Sequence, residues 1–237
     1  MKVEVWSDIF CPFCYIGKSK FESALEKFSR KEEVEVIYKS FELNPNSPKS
    51  QDGDIHSIIA SKYGVSYEQA KMNNDNIVEQ AALAGLTFNF DTLVPTNSFD
   101  AHRMIHFAAQ YGKMKEMTEA LFSAYFTDSK NVSDKETLAN IAAIIGLDKE
   151  EALNALNSDA YGKEVRADEE EGSKLGVNSV PFFVFNRKFA VSGAQSPETF
   201  LSVLEKAFED EEMLNDVNEE NDEEDTEDRC AGGTCKI

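Results

Sequence analysis

The chain has 237 residues, with 44 acids against 24 bases and a formal net charge of −20. That length buries a sizeable core and suggests one to two domains, and no run of about 18 apolar residues is present to span a membrane. The acidic balance excludes a nucleic-acid binder, which needs a basic face toward phosphate. The charge is uneven: Glu209 to Asp228 holds 13 acids and no Lys or Arg, against 31 acids and 22 bases in residues 1–208. The N-terminus reads Met-Lys-Val-Glu-Val-Trp-Ser-Asp, with acids where a signal peptide keeps an apolar core, so a cytoplasmic protein is expected. Thiols are kept reduced there, so four cysteines in two close pairs suggest cycling thiols rather than structural staples.

In chain order, Val3 to Trp6 alternates like a half-buried strand, and Ile9-Phe10 leads into Cys11-Pro12-Phe13-Cys14. From Tyr15 to Arg30 the apolar residues Ile16, Phe21, Leu25 and Phe28 keep a helical rhythm. Two thiols therefore sit at a strand-to-helix junction. There, unpaired backbone N–H groups and the helix dipole favour a thiolate at Cys11. Cys14 lies about one turn on, close enough to close a disulfide with Cys11 and expel a bound partner. Pro12 fits the first turn, where its missing N–H is not needed. Zinc is the competing reading of Cys-x2-Cys; no second such pair follows, and His102 and His106, at helical spacing, are remote, so no metal is assigned.

Val34 to Tyr38 is a second strand, completing a β-α-β unit over residues 1–50, and Asn44 to Pro48 is a loop. Residues 51–174 read as a block of helices without a convincing strand, with start signals at Ser66-x-x-Gln69 and a capping box at Ser133-x-x-Glu136. Phe182 to Phe185, then Asn186-Arg187, then Lys188 to Ser192 reads as a hairpin with a tight turn. Ser196 caps a last helix with Pro197 at its first position and Phe200, Leu201, Leu204 and Phe208 as its buried stripe. Residues 175–208 thus form a β-β-α half. The order β-α-β, helical insert, β-β-α is an α/β chain with the thioredoxin fold, interrupted by an all-helical domain. Residues 209–237 read as a flexible acidic tail, too poor in apolar groups to offset ordering entropy.

Four motifs in order, Ser7-Asp8-Ile9-Phe10-Cys11-Pro12-Phe13-Cys14-Tyr15-Ile16-Gly17, Asn97-Ser98-Phe99-Asp100-Ala101-His102-Arg103, Val180-Pro181-Phe182-Phe183-Val184-Phe185 and Ser192-Gly193-Ala194-Gln195, resemble the DsbA family, in its cytoplasmic FrnE-like branch. The resemblance spans about residues 1–208, with Phe13 where the branch more often has Trp. It implies a DsbA-like thiol-disulfide oxidoreductase or isomerase with Cys11 as nucleophile and Cys14 as resolving thiol. It also implies a cis Val180-Pro181 bond, at a cost of only about 0.5–1 kcal/mol for X–Pro, that brings Pro181 against the Cys11 sulfur. Pro12, Phe13, Val180 and Pro181 then contact substrate, with Val180 backbone groups free to pair with an extended segment. The Asn97 helix packs near the groove in the family, which offers Asn97 and Arg103 as groove residues; the plainer alternative is Asn97 as N-cap with a solvated or core-satisfied His102 and Arg103. The expected partners are proteins bearing thiols or disulfides and cellular thiol reductants, glutathione among them, with no other cofactor.

Cys230-Ala-Gly-Gly-Thr-Cys235 follows the acidic run. Its two glycines let the chain fold back, so a Cys230–Cys235 disulfide is feasible. It reads as an auxiliary redox couple that a flexible linker sweeps back to the groove, or as an incidental or metal-binding pair. Two rival functions compete with the oxidoreductase. Kappa-class glutathione transferases and 2-hydroxychromene-2-carboxylate isomerases share the inserted-helix layout, but they usually carry Ser where Cys11 stands and lack the second cysteine. A chaperone-like protein would bind clients through the insert and the acidic tail; the insert's Met104, Phe107, Met114, Met117 and Phe122 fit a core better than a client surface.

Overall fold

The computed structural model describes residues 1–49 and 53–227. Its sheet has the strand order β2-β1-β3-β4. β1 (Lys2–Ser7) runs parallel to β2 (Glu35–Ser40), paired from Lys2↔Glu35 to Ser7↔Ser40, and antiparallel to β3 (Phe182–Phe185). β3 pairs antiparallel with β4 (Phe189–Ser192). The parallel pair needs a crossover, which α1 (Pro12–Lys27) supplies. The hairpin turn places Asn186 and Arg187 at φ of 47° and 57°, with the Lys188 N–H donating to the Phe185 carbonyl at 2.9 Å. Two successive left-handed residues match the twist of the strands they join.

β1 is buried on both faces. Val3 and Val5 join Phe183 and Phe185 on one side, where Phe21 of α1 meets Phe183 at 5.4 Å and Phe200 of α9 (Pro197–Glu227) at 5.6 Å. The other side presents Glu4 and Trp6. The Arg187 guanidinium pairs with the Glu4 carboxylate, and Trp6 packs in a smaller cluster with Val177 and Val184.

The helices between the two halves of the sheet are α2 (Ile55–Tyr63), α3 (Tyr67–Leu83), α4 (Phe99–Ala109), α5 (Met114–Phe122), α6 (Lys135–Ile144), α7 (Lys149–Asn157) and α8 (Gly162–Lys174). A π-helical turn, Ser123–Thr127, prolongs α5. Ser66 caps α3, accepting from the Gln69 N–H at 3.1 Å. The capping box assigned to Ser133 is corrected: Asp134 is the N-cap of α6, accepting from the Thr137 N–H at 2.8 Å. Ser133 is buried, bonded to the Lys49 carbonyl and the Thr96 hydroxyl. Asp is as good a cap as Ser, and burial removes Ser133 from the competition.

α8 clasps the sheet. The Asp168 carbonyl accepts from Trp6 Nε1 at 2.9 Å, and its carboxylate accepts from Lys39 Nζ and the Ser40 N–H, each at 2.9 Å. His106 of α4 completes the cluster, Nε2 at 3.0 Å from Asp168 Oδ2. A Cβ at Gly172 would stand 2.7 Å from Trp6 Nε1, so only glycine lets α8 lie this close.

Of the residues assigned to a flexible tail, 209–227 continue α9, which runs to Glu227, and 228–237 lie outside the described residues. Neither Gly nor Pro interrupts residues 198–227 and Glu is a good helix former. The first turn past Phe208 is anchored: Arg30 stacks on Phe208 at 4.6 Å and bonds Glu212 at 3.1 Å, and Lys188 pairs with Asp210 at 2.7 Å. Phe200 meets Phe21 and Phe208 meets Phe28, so α9 runs in the same direction as α1, toward the end of the molecule away from Cys11. Among the described residues, no helix is long and apolar enough to cross a membrane.

Burial raises the Asp168 carboxyl, but His106, the Ser40 amide and Lys39 outweigh it and hold it below its ordinary value. A depressed carboxyl stabilises the fold above its unfolded value, and that contribution is lost as pH falls through the folded value. Asp168→Asn is therefore expected to lower the unfolding free energy by about 3 kcal/mol near pH 7. In urea titrations the gap to the native sequence should shrink below about pH 4; a gap constant with pH would refute the charge account.

Candidate active site

The turn from β1 into α1 is built by Asp8. Its backbone carbonyl accepts from the Cys11 N–H at 3.0 Å, Oδ1 from the Phe10 N–H at 3.2 Å and Oδ2 from the Leu43 N–H at 2.7 Å. One buried carboxylate thus ties the turn to the loop after β2. Cys11 is the N-cap of α1 with extended φ/ψ of −88° and 111°, Pro12 follows in the first turn, and the Cys14 N–H donates to the Cys11 carbonyl at 3.0 Å. Both cysteines are free thiols, Cys11 5% and Cys14 2% exposed.

Val180-Pro181 is a cis peptide, and the Cys11 thiol donates to the Val180 carbonyl at 3.6 Å. The Gly193 N–H holds the Pro181 carbonyl at 2.8 Å. The Val180 N–H has no hydrogen-bond partner among the described residues. Gly17 makes this approach feasible: a Cβ there would lie 3.0 Å from Pro181 Cγ and 3.4 Å from Ala194. Phe13, between the two cysteines, is 38% exposed, and Leu43, whose N–H Asp8 holds, is 45% exposed.

The two thiols differ. Burial pushes the Cys14 thiol well above the ordinary range, and a hydrogen bond to Cys11 and the Cys11 charge push it further; the Ser7 hydroxyl and the Asp8 backbone amide oppose this without overcoming it. Cys14 is therefore held in its protonated form, while the Cys11 sulfur lies against the Val180 carbonyl. That suits a sequence of attack by Cys11 followed by resolution by Cys14.

Asn97 and Arg103 are corrected as groove residues. Asn97 is buried; Nδ2 donates to the Ser47 carbonyl at 2.9 Å and Oδ1 accepts from the Phe99 N–H at 3.0 Å, while Ser98 occupies the N-cap position of α4. Arg103 donates to the carbonyls of Ala155, Ser158 and Ala160 at 2.6 to 2.8 Å and to Asp100 at 2.7 Å. It closes the C-terminal end of α7, joining the Ser158 N–H on the Ala155 carbonyl and holding the Ser158 and Ala160 carbonyls just past the helix. His102 is neither solvated nor satisfied: it is buried, its Nε2 is 3.4 Å from Asp8 Oδ1, and neither ring nitrogen has a hydrogen-bond partner. Asp8 and His102 were not assigned a role from the sequence, although an acid inside an apolar strand-to-turn segment is a signal for Asp8. Cys230 and Cys235 lie outside the described residues.

The family model for a DSBA-like thioredoxin domain matches residues 2–205. The crystal structure of the probable DsbA oxidoreductase SCO1869 from Streptomyces coelicolor is 42% identical with a TM-score of 0.84, covering 88% of this chain and 90% of that one. The protein YwbO of Bacillus subtilis (strain 168) is 30% identical over 212 residues, 89% of this chain and 96% of YwbO. The cytosolic disulfide reductase DsbM from Pseudomonas aeruginosa, solved with GSH, shares the fold at 16% identity, with a TM-score of 0.64 over 88% of this chain and all of that one. With its paired thiols at the head of α1, its cis-proline loop and a match over nearly the whole folded body, the chain belongs to the DSBA-like thioredoxin domain family.

Proposed function

We propose that the protein exchanges thiols and disulfides on protein clients in the cytoplasm. Cys11 attacks a client disulfide, forming a Cys11–client bond and releasing one client thiolate. Cys14 loses its proton and attacks the Cys11 sulfur, releasing the second thiolate and leaving a Cys11–Cys14 disulfide. Two electrons pass from the pair to the client, and the reverse sequence oxidises a client dithiol. After a client has been reduced, two cellular thiols such as glutathione reduce the Cys11–Cys14 disulfide back to the dithiol and leave as their own disulfide. The carrying observation is the Cys11 sulfur, 3.6 Å from the Val180 carbonyl at the head of α1 with Cys14 one turn on. The open Val180 N–H supports pairing with an extended client segment, and Pro12 and Phe13 flank it. The cytosolic placement of DsbM supports the compartment.

The tail pair, Cys230 and Cys235, enters this scheme as an auxiliary couple. The intact α9 bears on its reach: 19 residues from Phe208 to Glu227 extend about 28 Å, directed away from Cys11, and α1 adds about 24 Å. The eight residues from Glu227 to Cys235 span at most about 29 Å. Exchange within one chain therefore requires α9 to unwind, whereas exchange with another molecule does not.

Cys11→Ser is expected to abolish insulin reduction and refolding of scrambled ribonuclease; unchanged turnover sinks the assignment. Cys14→Ser should still attack but trap the client, giving a mixed disulfide visible as added mass under non-reducing conditions. Gly17→Ala should displace the Pro181 loop, lowering turnover and costing about 1–2 kcal/mol of stability in denaturant titration; full turnover would show that the loop's position does not matter.

A further inference from the structure

Two loops settle on α1 where Gly17 leaves room: Pro181 of the cis peptide and Ala194 of the turn after β4. The backbone carbonyls at this meeting point already accept. Val180 takes the Cys11 thiol at 3.6 Å, Pro181 the Gly193 N–H at 2.8 Å, Ser192 the Gln195 side-chain amide at 2.9 Å and Gly193 the Gln195 N–H at 3.0 Å. The Ala194 carbonyl is taken by Lys20 Nζ at 3.2 Å. The donors are left over: neither the Val180 N–H nor the Ala194 N–H has a hydrogen-bond partner among the described residues.

Lys20 adds to that surplus. It stands three residues past Gly17 on α1, and helical side chains lean toward the N-terminus of their helix, here the Cys11 end. An ammonium has three protons to donate, and the Ala194 carbonyl uses one. No carboxylate pairs with Lys20 among the described residues, whereas Lys18, on the same helix, is held by both Glu22 and Glu119. Glu198, the acid nearest in sequence to Ala194, is turned to its own amide and the Ser196 hydroxyl. An unpaired cation beside unpaired amides, with the local acceptors spent, is the donor set that a carboxylate fits.

We propose that Lys20 and the Ala194 N–H hold a client carboxylate, so that the protein favours disulfides with Asp or Glu close to the reacting cysteine. This rests on the reading of Cys11 as the attacking thiol and adds a client class to it. A client strand that pairs with the Val180 N–H and continues across Pro181 reaches Ala194 within a few residues, since an extended chain covers about 3.3 Å per residue. No bond is made or broken at the subsite; it sets the rate at which clients of different charge engage Cys11. The long-range field works the other way, because a net charge of −20 repels an acidic client. A preference for acid is therefore local in origin.

The test uses the full-length chain with Cys14→Ser, Cys230→Ser and Cys235→Ser, which leaves Cys11 as the one thiol. Its substrates are otherwise identical peptides whose cysteine is joined to 2-nitro-5-thiobenzoate, with Glu or Gln set at each flanking position in turn. Cys11 forms a disulfide with the peptide sulfur and the coloured thiolate leaves with its electron pair, so the rate of attack is read directly. At the best position Glu is expected to outpace Gln about threefold at low salt, the scale of one exposed ion pair. The advantage should shrink between about 0.01 and 0.15 M salt. Lys20→Gln, which keeps a donor for the Ala194 carbonyl, should bring the Glu-to-Gln ratio to about one or below, and Lys20→Arg should restore it. No advantage for Glu at any position, or a ratio that Lys20→Gln leaves unchanged because it slows both peptides alike, overturns the subsite and marks Lys20 as a brace for the loop. Failure of Cys11 to react with any peptide defeats the oxidoreductase reading instead, so the two failures are told apart within one series.

Discussion

Covering β1 on both faces is the constraint from which the rest of the molecule follows. A strand with Val3 and Val5 on one side and Glu4 and Trp6 on the other has no face left for water. One side is closed by α1 and α9, the other by α8, and parallel pairing with β2 already demands a crossover. The helical insert is therefore part of the sheet's packing rather than an appendage. Asp168 and Gly172 show how it is fastened, one by hydrogen bonds to Trp6, Lys39 and Ser40, the other by having no side chain.

That burial also decides where chemistry occurs. β1 ends at Ser7, and the chain leaves the sheet through a turn whose amide groups are held by the Asp8 carboxylate. The turn delivers Cys11 to the head of α1, and the β3 strand beside β1 delivers Val180 and Pro181 to the same place. Two segments about 170 residues apart in the chain meet because both border the central strand. The thiols then differ by surroundings: burial and the neighbouring Cys11 raise the Cys14 thiol, while the Cys11 sulfur meets the Val180 carbonyl.

Local signals were legible in the sequence and long-range ones were not. Cys11 and Cys14 could be placed because strand alternation, Pro12 and helical rhythm lie within thirty residues. The Asn186-Arg187 turn and the Ser196 cap were readable for the same reason. Arg103 misled because its partners, the carbonyls of Ala155, Ser158 and Ala160, lie over fifty residues on and leave no trace in composition. Asn97 misled in the same way through Ser47. Ser133 had the capping-box spacing to Glu136, but the neighbouring Asp134 is as good an N-cap residue, and burial of Ser133 separated them. The acidic run after Glu209 was judged by charge and apolar content, whereas helix continuation depended on the absence of Gly and Pro and on anchors at Arg30 and Lys188.

Gly17 and Phe13 lie within one stretch of α1 but answer to opposite demands. Pro181 rests where any side chain on Gly17 would push, so each possible replacement there adds an atom the loop must move around. Phe13 projects into open space beside the same sulfur. For the thiol-disulfide exchange proposed above, a change at Phe13 would alter what a client meets while the Pro181 loop keeps its place, so a scaffold of this kind could diverge in specificity without first losing its reaction.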